Sequence, residues 1–446
     1  MTTVLTYGVF DLFHEGHRRL LERAKALGDR LIVGVVSDQY AVERGKLSTV
    51  DPLEVRMANV RCCPFVDEVI VEDHHGQKAE DIRRFGADIL AMGDDWLGKF
   101  EPLESLCRVI YLPRTPNISS SILRSGALPY LRIGIIGAGR IADRFVREAG
   151  FVRDVRIPCV FRPDPDRSAS LRNFISNHTS ILKVRTLEKL FDQTDAVYIA
   201  SPHETHFAYA KAALEAGKHV LCEKPLCLKK AEAQHLFDLA KEKGLVMMEA
   251  IKTAYCPGFI KLCGVAMSGY IGDIVDIECA FTRLTPPGVR EWMDLRYGGS
   301  FTEFGSYLLL PVVKLLGTKD LSWHFQSVRN ADGLDIYTKI NLESGSRFAT
   351  GCCGLGAKSE SGLVISGTKG YLLADAPWWK TRHFELRYED PNEKKHFGMD
   401  FRGDGLRYEI ADFLYRIQGH SGRDYRLTPE ESICMAEIME SFLRER

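Results

Sequence analysis

Two histidines near the start of the chain have the type and spacing of phosphate chemistry. His14 and His17 stand three positions apart, with Gly16 between them, where an apolar run gives way to a helical pattern. Both imidazoles can face one anion there, and the free N–H groups of a helix start add partial positive charge. Nucleotidyl transfer needs such positioned donors more than it needs covalent help. The alternative is that the pair only caps the helix.

A glycine-rich segment marks a second place for chemistry. Gly137 and Gly139 follow the apolar run 131–136, and Arg140 and Ile141 then open a helical pattern. This order is typical of a strand, turn and helix that bind the pyrophosphate of a dinucleotide. The segment therefore predicts a nicotinamide dinucleotide site.

Arg162 follows the next apolar run, at the position where NAD enzymes usually carry an acidic residue. A guanidinium there suits a 2′-phosphate and favours NADP over NAD. The alternative is a solvated loop residue, so both cofactors stay open at this point.

The elements that must position these residues form two successive patterns of strands and helices. Apolar runs alternate with helical patterns in the first, as in a parallel sheet with crossover helices; the runs are 2–10, 31–36, 69–71, 89–92 and 109–112. A turn-rich connector occupies 125–130, and the pattern then restarts. Its predicted elements are the strands 131–136, 196–200 and 218–222 and the helix 206–216.

The last part of the chain has longer runs with one polar face, which predict an open antiparallel sheet. These runs are 274–281, 335–341 and 347–352, and two helices are predicted at 406–417 and 430–443. The fold class is therefore α/β. We expect a Rossmann-like domain at 1–126, a Rossmann dinucleotide-binding domain at 131–250 and an α+β domain with an open antiparallel sheet at 251–446.

The composition excludes several classes of protein. The 446 residues include 59 Lys and Arg against 60 Asp and Glu, so no overall positive charge favours a nucleic acid or an anionic membrane. The lack of a long apolar run or a leader pattern argues against membrane insertion and secretion. Twelve scattered cysteines indicate reduced thiols in a cytoplasmic protein.

Three segments of the first unit resemble the glycerol-3-phosphate cytidylyltransferases of the H-x-G-H nucleotidyltransferase superfamily. They are TYGVFDLFHEGHRRLLERAKALGD, MGDDWLGKF at 92–100 and YLPRTPNISSS at 111–121. The resemblance covers about residues 3–125 and implies CTP as a substrate. It implies catalytic roles for His14, His17, Lys46 and Arg114, nucleotide contacts for Val9, Phe10, Asp11, Asp94, Thr115 and Ser119, and acceptor-phosphate contacts for Arg44 and Lys78.

Two departures from this family lie in the first unit. Pro64 stands before Phe65 where the family commonly carries an arginine, and Pro116 and Asn117 replace its Glu-Gly pair. Both changes leave the chemistry intact and leave the identity of the acceptor open.

The rest of the chain resembles the family of glucose-fructose oxidoreductase and inositol dehydrogenase. The segments that carry this resemblance are DAVYIASPHETH (195–206), CEKPL (222–226), MEAIKTAYCPGF (248–259), GGSFTEFGSY (298–307) and ISGTKGYL (365–372). The resemblance implies catalytic roles for Lys224, Glu303 and Tyr307 and cofactor contacts for Gly137, Gly139, Arg140, Ile141, Arg162, Ser201, Pro202, His206 and Glu223.

Lys224 would polarise a substrate carbonyl and Tyr307 would move its proton, because hydride addition develops negative charge on oxygen. The family usually has Asp and then His four residues later, and Glu303 and Tyr307 keep an acidic and a protic group at this spacing. Core packing is the alternative for Tyr307.

Two sites in one chain predict consecutive steps. The expected function is reduction of a keto-sugar phosphate with NADP or NAD in its reduced form, followed by cytidylyl transfer from CTP. The products would be pyrophosphate and a CDP-polyol for capsule or teichoic-acid-like polymers. The alternative is a glycerol-3-phosphate cytidylyltransferase with a non-catalytic or unrelated nicotinamide-binding module.

The expected partners are these small molecules and further copies of the chain in a homo-oligomer. Neither a nucleic acid nor a membrane is expected. Mg²⁺ is expected to accompany the triphosphate, although the sequence shows no dedicated set of metal ligands.

Overall fold

The computed structural model describes residues 2–11, 13, 15–43, 51–96, 98–112, 130–152, 154–162, 174, 176–419 and 426–446. The chain divides into two compact units, Met1–Tyr130 and Leu131–Arg446. All twelve cysteines are free. None of the described helices is long and apolar enough to cross a membrane.

The first unit is built on a five-stranded sheet in the order β3-β2-β1-β4-β5, with every neighbouring pair parallel. The strands are β1 (Thr3–Gly8), β2 (Arg30–Val36), β3 (Glu68–Glu72), β4 (Ile89–Gly93) and β5 (Arg108–Leu112). The described helices of this unit are α1 (Glu15–Lys25), α2 (Asp38–Glu43), α3 (Leu53–Arg61) and α4 (Gln77–Phe85). Each apolar run expected to form a strand here does so.

Apolar residues on both faces of this sheet explain its parallel form. Val4 and Leu31 pack into the core on one face, while their chain neighbours Leu5 and Ile32 pack into the core on the other. Strands buried on both faces are typical of sheets whose crossover helices cover both sides. The chain order reverses beside β1, so a crevice opens at the carboxyl ends of β1 and β4, where ligands bind in such folds.

The second unit begins with another parallel sheet, in the order β12-β11-β10-β6-β8-β9, with β7 paired to β6. The strands are β6 (Leu131–Ile136), β7 (Val155–Arg156), β8 (Cys159–Phe161), β9 (Leu182–Val184), β10 (Ala196–Ile199), β11 (His219–Glu223) and β12 (Met247–Ala250). The described helices are α5 (Arg140–Ala149), α6 (Leu187–Asp192), α7 (His206–Glu215) and α8 (Lys230–Glu242). The order reverses between β6 and β10, which opens a second crevice.

Eight further strands form a separate sheet in the order β14-β15-β16-β13-β17-β18-β19-β20. They are β13 (Ile274–Thr282), β14 (Leu321–Arg329), β15 (Asp335–Ser344), β16 (Arg347–Gly354), β17 (Leu363–Gly367), β18 (Tyr371–Ala374), β19 (His383–Arg387) and β20 (Lys394–Gly398). The described helices that precede β14 are α9 (Pro257–Met267), α10 (Arg290–Met293) and α11 (Ser300–Leu315).

The expectation of an antiparallel sheet needs one correction, because β13 and β16 run parallel, with Asp276 opposite Phe348. The other neighbouring strands of this sheet are antiparallel. A crossover through α11 and the hairpin of β14 and β15 brings the chain back in the same direction, as parallel pairs require. Alternation of apolar residues along a strand does not report the direction of its partner, so the sequence pattern missed this.

The remaining helices connect the two sheets of the second unit. α11 packs on β13, β15 and β16, α12 (Leu406–Ile417) packs against α5, and α13 (Pro429–Glu445) packs against α8 and α11. α13 begins with a capping box in which Thr428 and Glu431 bond each other's backbone N–H groups. The boundary predicted at residue 250 falls directly after β12, inside this compact unit.

Candidate active sites

In the first unit, aromatic packing orients His17 at the start of α1. The His17 ring lies 5.3 Å from the ring centroid of Phe10 and 5.7 Å from that of Phe13. Phe10 is buried in the left-handed region, with a φ of 53°, and its neighbours Val9 and Asp11 are buried too. A bulky residue adopts this conformation only where the surroundings impose it. Val9, Phe10 and Asp11, which follow β1, are therefore held in place by packing.

Arg56 was not singled out by the sequence motifs, yet it holds this crevice together. Its side chain is 0% exposed and donates to the backbone oxygens of Val9 at 2.6 Å and Val36 at 2.8 Å. It also donates to the Asp51 backbone oxygen at 2.9 Å and to the carboxylate of Asp38. The sequence signal for this role is weak. It consists of a basic residue on the side of α3 that faces the core, four positions before the buried Val60.

Lys78 forms a buried ion pair with Glu72 at the end of β3, and its ammonium lies 4.4 Å from the ring centroid of Tyr7. Tyr7 donates to Asp81 at 3.0 Å, and burial together with Asp81 raises the pKa of Tyr7. An acceptor phosphate at Lys78 would therefore compete with a carboxylate. Asp94 starts a 3-10 turn directly after β4.

The other residues predicted for this site lie outside the described residues, and their roles stay predictions. They are His14, Arg44, Lys46, Arg114, Thr115 and Ser119. Within the part of the chain that the structure describes, no group of three or more His, Cys, Asp or Glu side chains is placed to hold a metal ion.

In the second unit, a cavity of about 1030 Å³ is lined by residues of both sheets and of α11 and α12. It brings together all the residues predicted for the dinucleotide and hydride-transfer site. These are Gly137, Gly139, Arg140, Ile141, Arg162, Ser201, Pro202, His206, Glu223, Lys224, Glu303 and Tyr307.

The glycine turn at one end of the cavity has the space that a dinucleotide needs. Gly137 has a φ of 106°, and a Cβ there would stand 2.4 Å from the backbone oxygen of Ala200, so only glycine fits. At Gly139 a Cβ would meet no described atom within 4 Å. The open side of that residue leaves room for a pyrophosphate at the N-terminus of α5. Arg162 lines the same cavity directly after β8.

Histidine packing fixes the loop that follows β10. The two ring nitrogens of His206 lie 2.8 Å from the Pro225 backbone oxygen and 3.0 Å from that of Ser201. Burial lowers the pKa of His206 to about 4, so the ring is neutral at physiological pH and donates to one of these oxygens at a time. Thr205 adds a hydrogen bond of 2.7 Å to the Ser201 hydroxyl. His206 therefore positions this loop along the cavity.

Lys224 is held at the end of β11 by Glu303 of α11. Its ammonium donates to the Glu303 backbone oxygen at 2.8 Å and to the carboxylate at 3.1 Å. His203 faces the other carboxylate oxygen at 3.7 Å, and burial, then Lys224, hold the pKa of His203 well below its usual value. The lysine thus has one fixed orientation between two elements that are distant in the chain.

Tyr307 lies one turn after Glu303 on α11, and its ring stacks on Phe281 at 4.7 Å between centroids. Burial raises the pKa of Tyr307, and Glu223 and Glu409 raise it further. The hydroxyl is therefore protonated at neutral pH and can donate a proton to a carbonyl oxygen. Lys224 supplies a positive charge in the same cavity.

Several lining residues were not assigned a role from the sequence motifs. They are His203, Lys252, Arg283, Arg290, Lys358, Lys380 and Glu409. Glu409 is 1% exposed, and burial, then Glu223, hold the pKa of its carboxyl well above the usual value. These residues come from segments far apart in the chain. The sequence signal that could have identified them is a charged residue at a position where the pattern predicts an apolar one.

Comparison with known proteins separates the chain at the same connector. The family model described as Cytidylyltransferase-like matches residues 5–126, and the model described as Oxidoreductase family, NAD-binding Rossmann fold, matches residues 131–251. The glycerol-3-phosphate cytidylyltransferase of Bacillus spizizenii is 47% identical over 124 residues, which span 28% of this chain and 95% of the relative. The scyllo-inositol 2-dehydrogenase (NADP(+)) IolU of Bacillus subtilis is 26% identical over 325 residues, which span 70% of this chain and 95% of the relative.

The chain belongs to the cytidylyltransferase family through its first unit, and its second unit carries a domain that matches the NAD-binding oxidoreductase family model. The two resemblances predicted from the motifs are confirmed, and the chain joins a cytidylyltransferase domain to an NAD-binding oxidoreductase domain. Both activities, cytidylyl transfer and NAD(P)-dependent oxidoreduction, are supported by homologues.

A solved structure shares the fold of the oxidoreductase unit. KijD10, a 3-ketoreductase from Actinomadura kijaniata in complex with NADP and TDP-benzene, has a TM-score of 0.60 and 22% identity, covering 70% of this chain and 97% of that chain. This likeness shows the fold of the oxidoreductase unit, with its parallel and mixed sheets, and nothing about its substrate.

Proposed function

We propose that this fused enzyme makes a CDP-polyol in two consecutive steps. The oxidoreductase unit reduces a keto-sugar phosphate to a polyol phosphate, and the cytidylyltransferase unit joins that product to CTP and releases pyrophosphate. The observation that carries this proposal is one cavity lined by Lys224, by Tyr307 and by the glycine turn that contains Gly137 and Gly139. The same chain belongs to a family whose named acceptor, glycerol 3-phosphate, is a polyol phosphate. The product would serve capsule or teichoic-acid-like polymers.

The cofactor side of the cavity fits NADPH. Gly137 and Gly139 would receive the pyrophosphate, and Arg162 would pair with the 2′-phosphate. Ser201 and Pro202 line the path toward Lys224. When bound, the nicotinamide supplies the hydride that reduces the carbonyl carbon.

The protein side of the reaction is a proton transfer. Tyr307 gives its hydroxyl proton to the carbonyl oxygen as the hydride reaches the carbon, so the carbonyl becomes a secondary alcohol. Lys224 stabilises the negative charge that develops on this oxygen, and Glu303 keeps the ammonium in place through the bond of 3.1 Å.

For cytidylyl transfer, we propose that His17 and His14 stabilise the charge on the attacked phosphate, with Mg²⁺ accompanying CTP. Packing against Phe10 and Phe13 gives His17 the fixed orientation that this role requires.

The experiment incubates the full-length protein with Mg²⁺, CTP, NADPH and one ketose phosphate at a time, and detects CDP-polyol by mass spectrometry. Suitable substrates are dihydroxyacetone phosphate, ribulose 5-phosphate and xylulose 5-phosphate. We expect one of them to give NADPH oxidation, pyrophosphate and a CDP-polyol together. If NADPH is oxidised but the alcohol is never joined to CTP, the consecutive scheme is wrong.

Two variants separate the steps. His17→Ala should oxidise NADPH normally and accumulate the free polyol phosphate, with cytidylyl transfer slowed by the equivalent of about 3–4 kcal/mol. Lys224→Ala should form CDP-polyol only when the polyol phosphate itself is supplied. If neither wild type nor Lys224→Ala oxidises NADPH with any of these substrates, the oxidoreductase unit has a different role.

A further inference from the structure

Two lysines that the mechanism does not use line the same cavity. Lys252 lies in a 3-10 turn directly after β12, and Lys380 ends another 3-10 turn after β18. The ammonium of Lys252 donates to the backbone oxygen of Asp404 at 2.8 Å. Lys380 lies 5.9 Å from the ring centroid of Phe401. Among the described residues, no carboxylate oxygen lies within 4.0 Å, the distance limit for an ion pair, of either ammonium nitrogen.

Neither of these two charges has an ion-pair partner among the described residues, although acidic groups act on Lys252 over a longer distance. Burial lowers the pKa of Lys252, and the nearby positive charge of Lys380 lowers it further, while Cys256, Glu409 and Asp404 act in the opposite direction. Burial, then Glu223, holds the pKa of Glu409 well above its usual value and so favours the neutral form of that carboxyl. Two like charges in one partly buried wall are unfavourable unless an anion joins them.

We infer that Lys252 and Lys380 form the subsite that binds the phosphoryl group of the oxidoreductase substrate. This inference rests on the proposed function and identifies which residues distinguish a phosphorylated ketose from a free one. A phosphate dianion offers several acceptor oxygens, and two ammonium groups can donate to it while the carbonyl reaches Tyr307 in the same cavity.

Lys358 provides a matched control from the same cavity. It is exposed, and its ammonium already donates to the Ser359 backbone oxygen at 2.5 Å and to the Thr282 hydroxyl at 3.3 Å. A lysine that is solvated and hydrogen-bonded in this way gains less from binding an anion than a desolvated one.

The experiment measures NADPH oxidation by the full-length protein with each ketose phosphate and with its unphosphorylated counterpart. Lys252→Met and Lys380→Met should each raise the KM for the phosphorylated ketose on the order of 10- to 100-fold, the loss expected for one charge-assisted contact. Activity on the unphosphorylated ketose, the Kd for NADPH and the melting temperature should stay near wild type. Lys252→Arg should recover most of the loss, and Lys358→Met should change the KM less than about threefold.

Phosphite gives a second readout that a structural role would not produce. In wild type, added phosphite should occupy the subsite and increase turnover of the unphosphorylated ketose. Lys252→Met should abolish this activation, and Lys358→Met should retain it. Equal losses on the phosphorylated and free ketose in Lys252→Met, or a larger effect of Lys358→Met, would overturn the inference.

Failure of the proposed function is distinguishable from failure of the subsite. If wild type reduces none of the ketose phosphates, the proposed substrate class is wrong. The subsite is then decided with NADP⁺ bound and inorganic phosphate as the probe. Phosphate should raise the melting temperature of the oxidoreductase unit in wild type and Lys358→Met but not in Lys252→Met, and an equal rise in all three proteins would overturn it.

Discussion

Arg56→Met should destabilise the cytidylyltransferase unit and leave the oxidoreductase unit folded. The buried guanidinium donates to the backbone oxygens of Val9, Val36 and Asp51 at 2.6, 2.8 and 2.9 Å, and to the partly exposed Asp38. Methionine fills much of the space but supplies no donor. Leaving buried acceptors without a partner costs about 1–3 kcal/mol each, offset in part by removal of a desolvated charge. We expect a net loss of about 4 kcal/mol.

Hydrogen exchange followed by mass spectrometry on the intact protein measures this loss in peptides from 15–43 and 51–96. Cytidylyl transfer should fall with it, because Arg56 anchors the strand end that leads to His17. Arg30→Met is the matched control: its ion pair with Glu68 is 36% and 37% exposed and contributes about 0–1 kcal/mol. A loss below about 1 kcal/mol in Arg56→Met, or an equal loss in peptides from 176–419, would refute the reasoning.

Three further predictions concern the oxidoreductase unit. Lys224→Met should lower kcat for ketose reduction about 10²- to 10³-fold and leave pyrophosphate release unchanged, since it removes a positive charge from the cavity that holds Tyr307; equal losses in both assays would contradict this. Arg162→Asp should shift the preference from NADPH toward NADH, and unchanged kcat/KM values for the two cofactors would remove the proposed 2′-phosphate contact. Burial raises the pKa of Glu249 from 4.5 to about 7, so its stabilising contribution is present below pH 4.5 and is lost as pH rises through 7. Glu249→Gln should therefore gain about 3 kcal/mol over wild type across this interval in chemical denaturation, and parallel curves would exclude it.

Local patterns were sufficient to predict most of the strands and helices. Apolar runs buried on both faces predict the parallel strands, and the run 131–136 coincides with β6. The period of apolar residues at 406–417 predicts α12 with the observed bounds. The order of glycines after β6 is also a local signal, although the close approach of Ala200 that requires glycine at 137 comes from β10, which is distant in the chain. Periodicity and turn chemistry act over a few residues, so they can be read from the chain itself.

The site residues also divide into those that sequence segments identify and those that only packing brings together. Lys224, Glu303 and Tyr307 were found because each lies in a recognisable segment, but only the structure shows the ammonium of Lys224 bonded to a residue 79 positions later. Lys252 lies in such a segment, 248–259, but received no role from it, and Lys380 lies in none. That both lysines line one cavity depends on how β12, the mixed sheet and α12 pack.

The sequence by itself determined two α/β units, the families to which they belong and the segments that carry their motifs. The tertiary structure decided the parallel pairing of β13 with β16, the buried hydrogen bonds of Arg56 and the placement of Lys252 and Lys380 in one cavity. The physical reason is the distance along the chain over which each interaction acts. Backbone geometry and amphipathic pattern are set by neighbours in the chain, whereas burial, desolvation and charge compensation depend on side chains that only packing brings together.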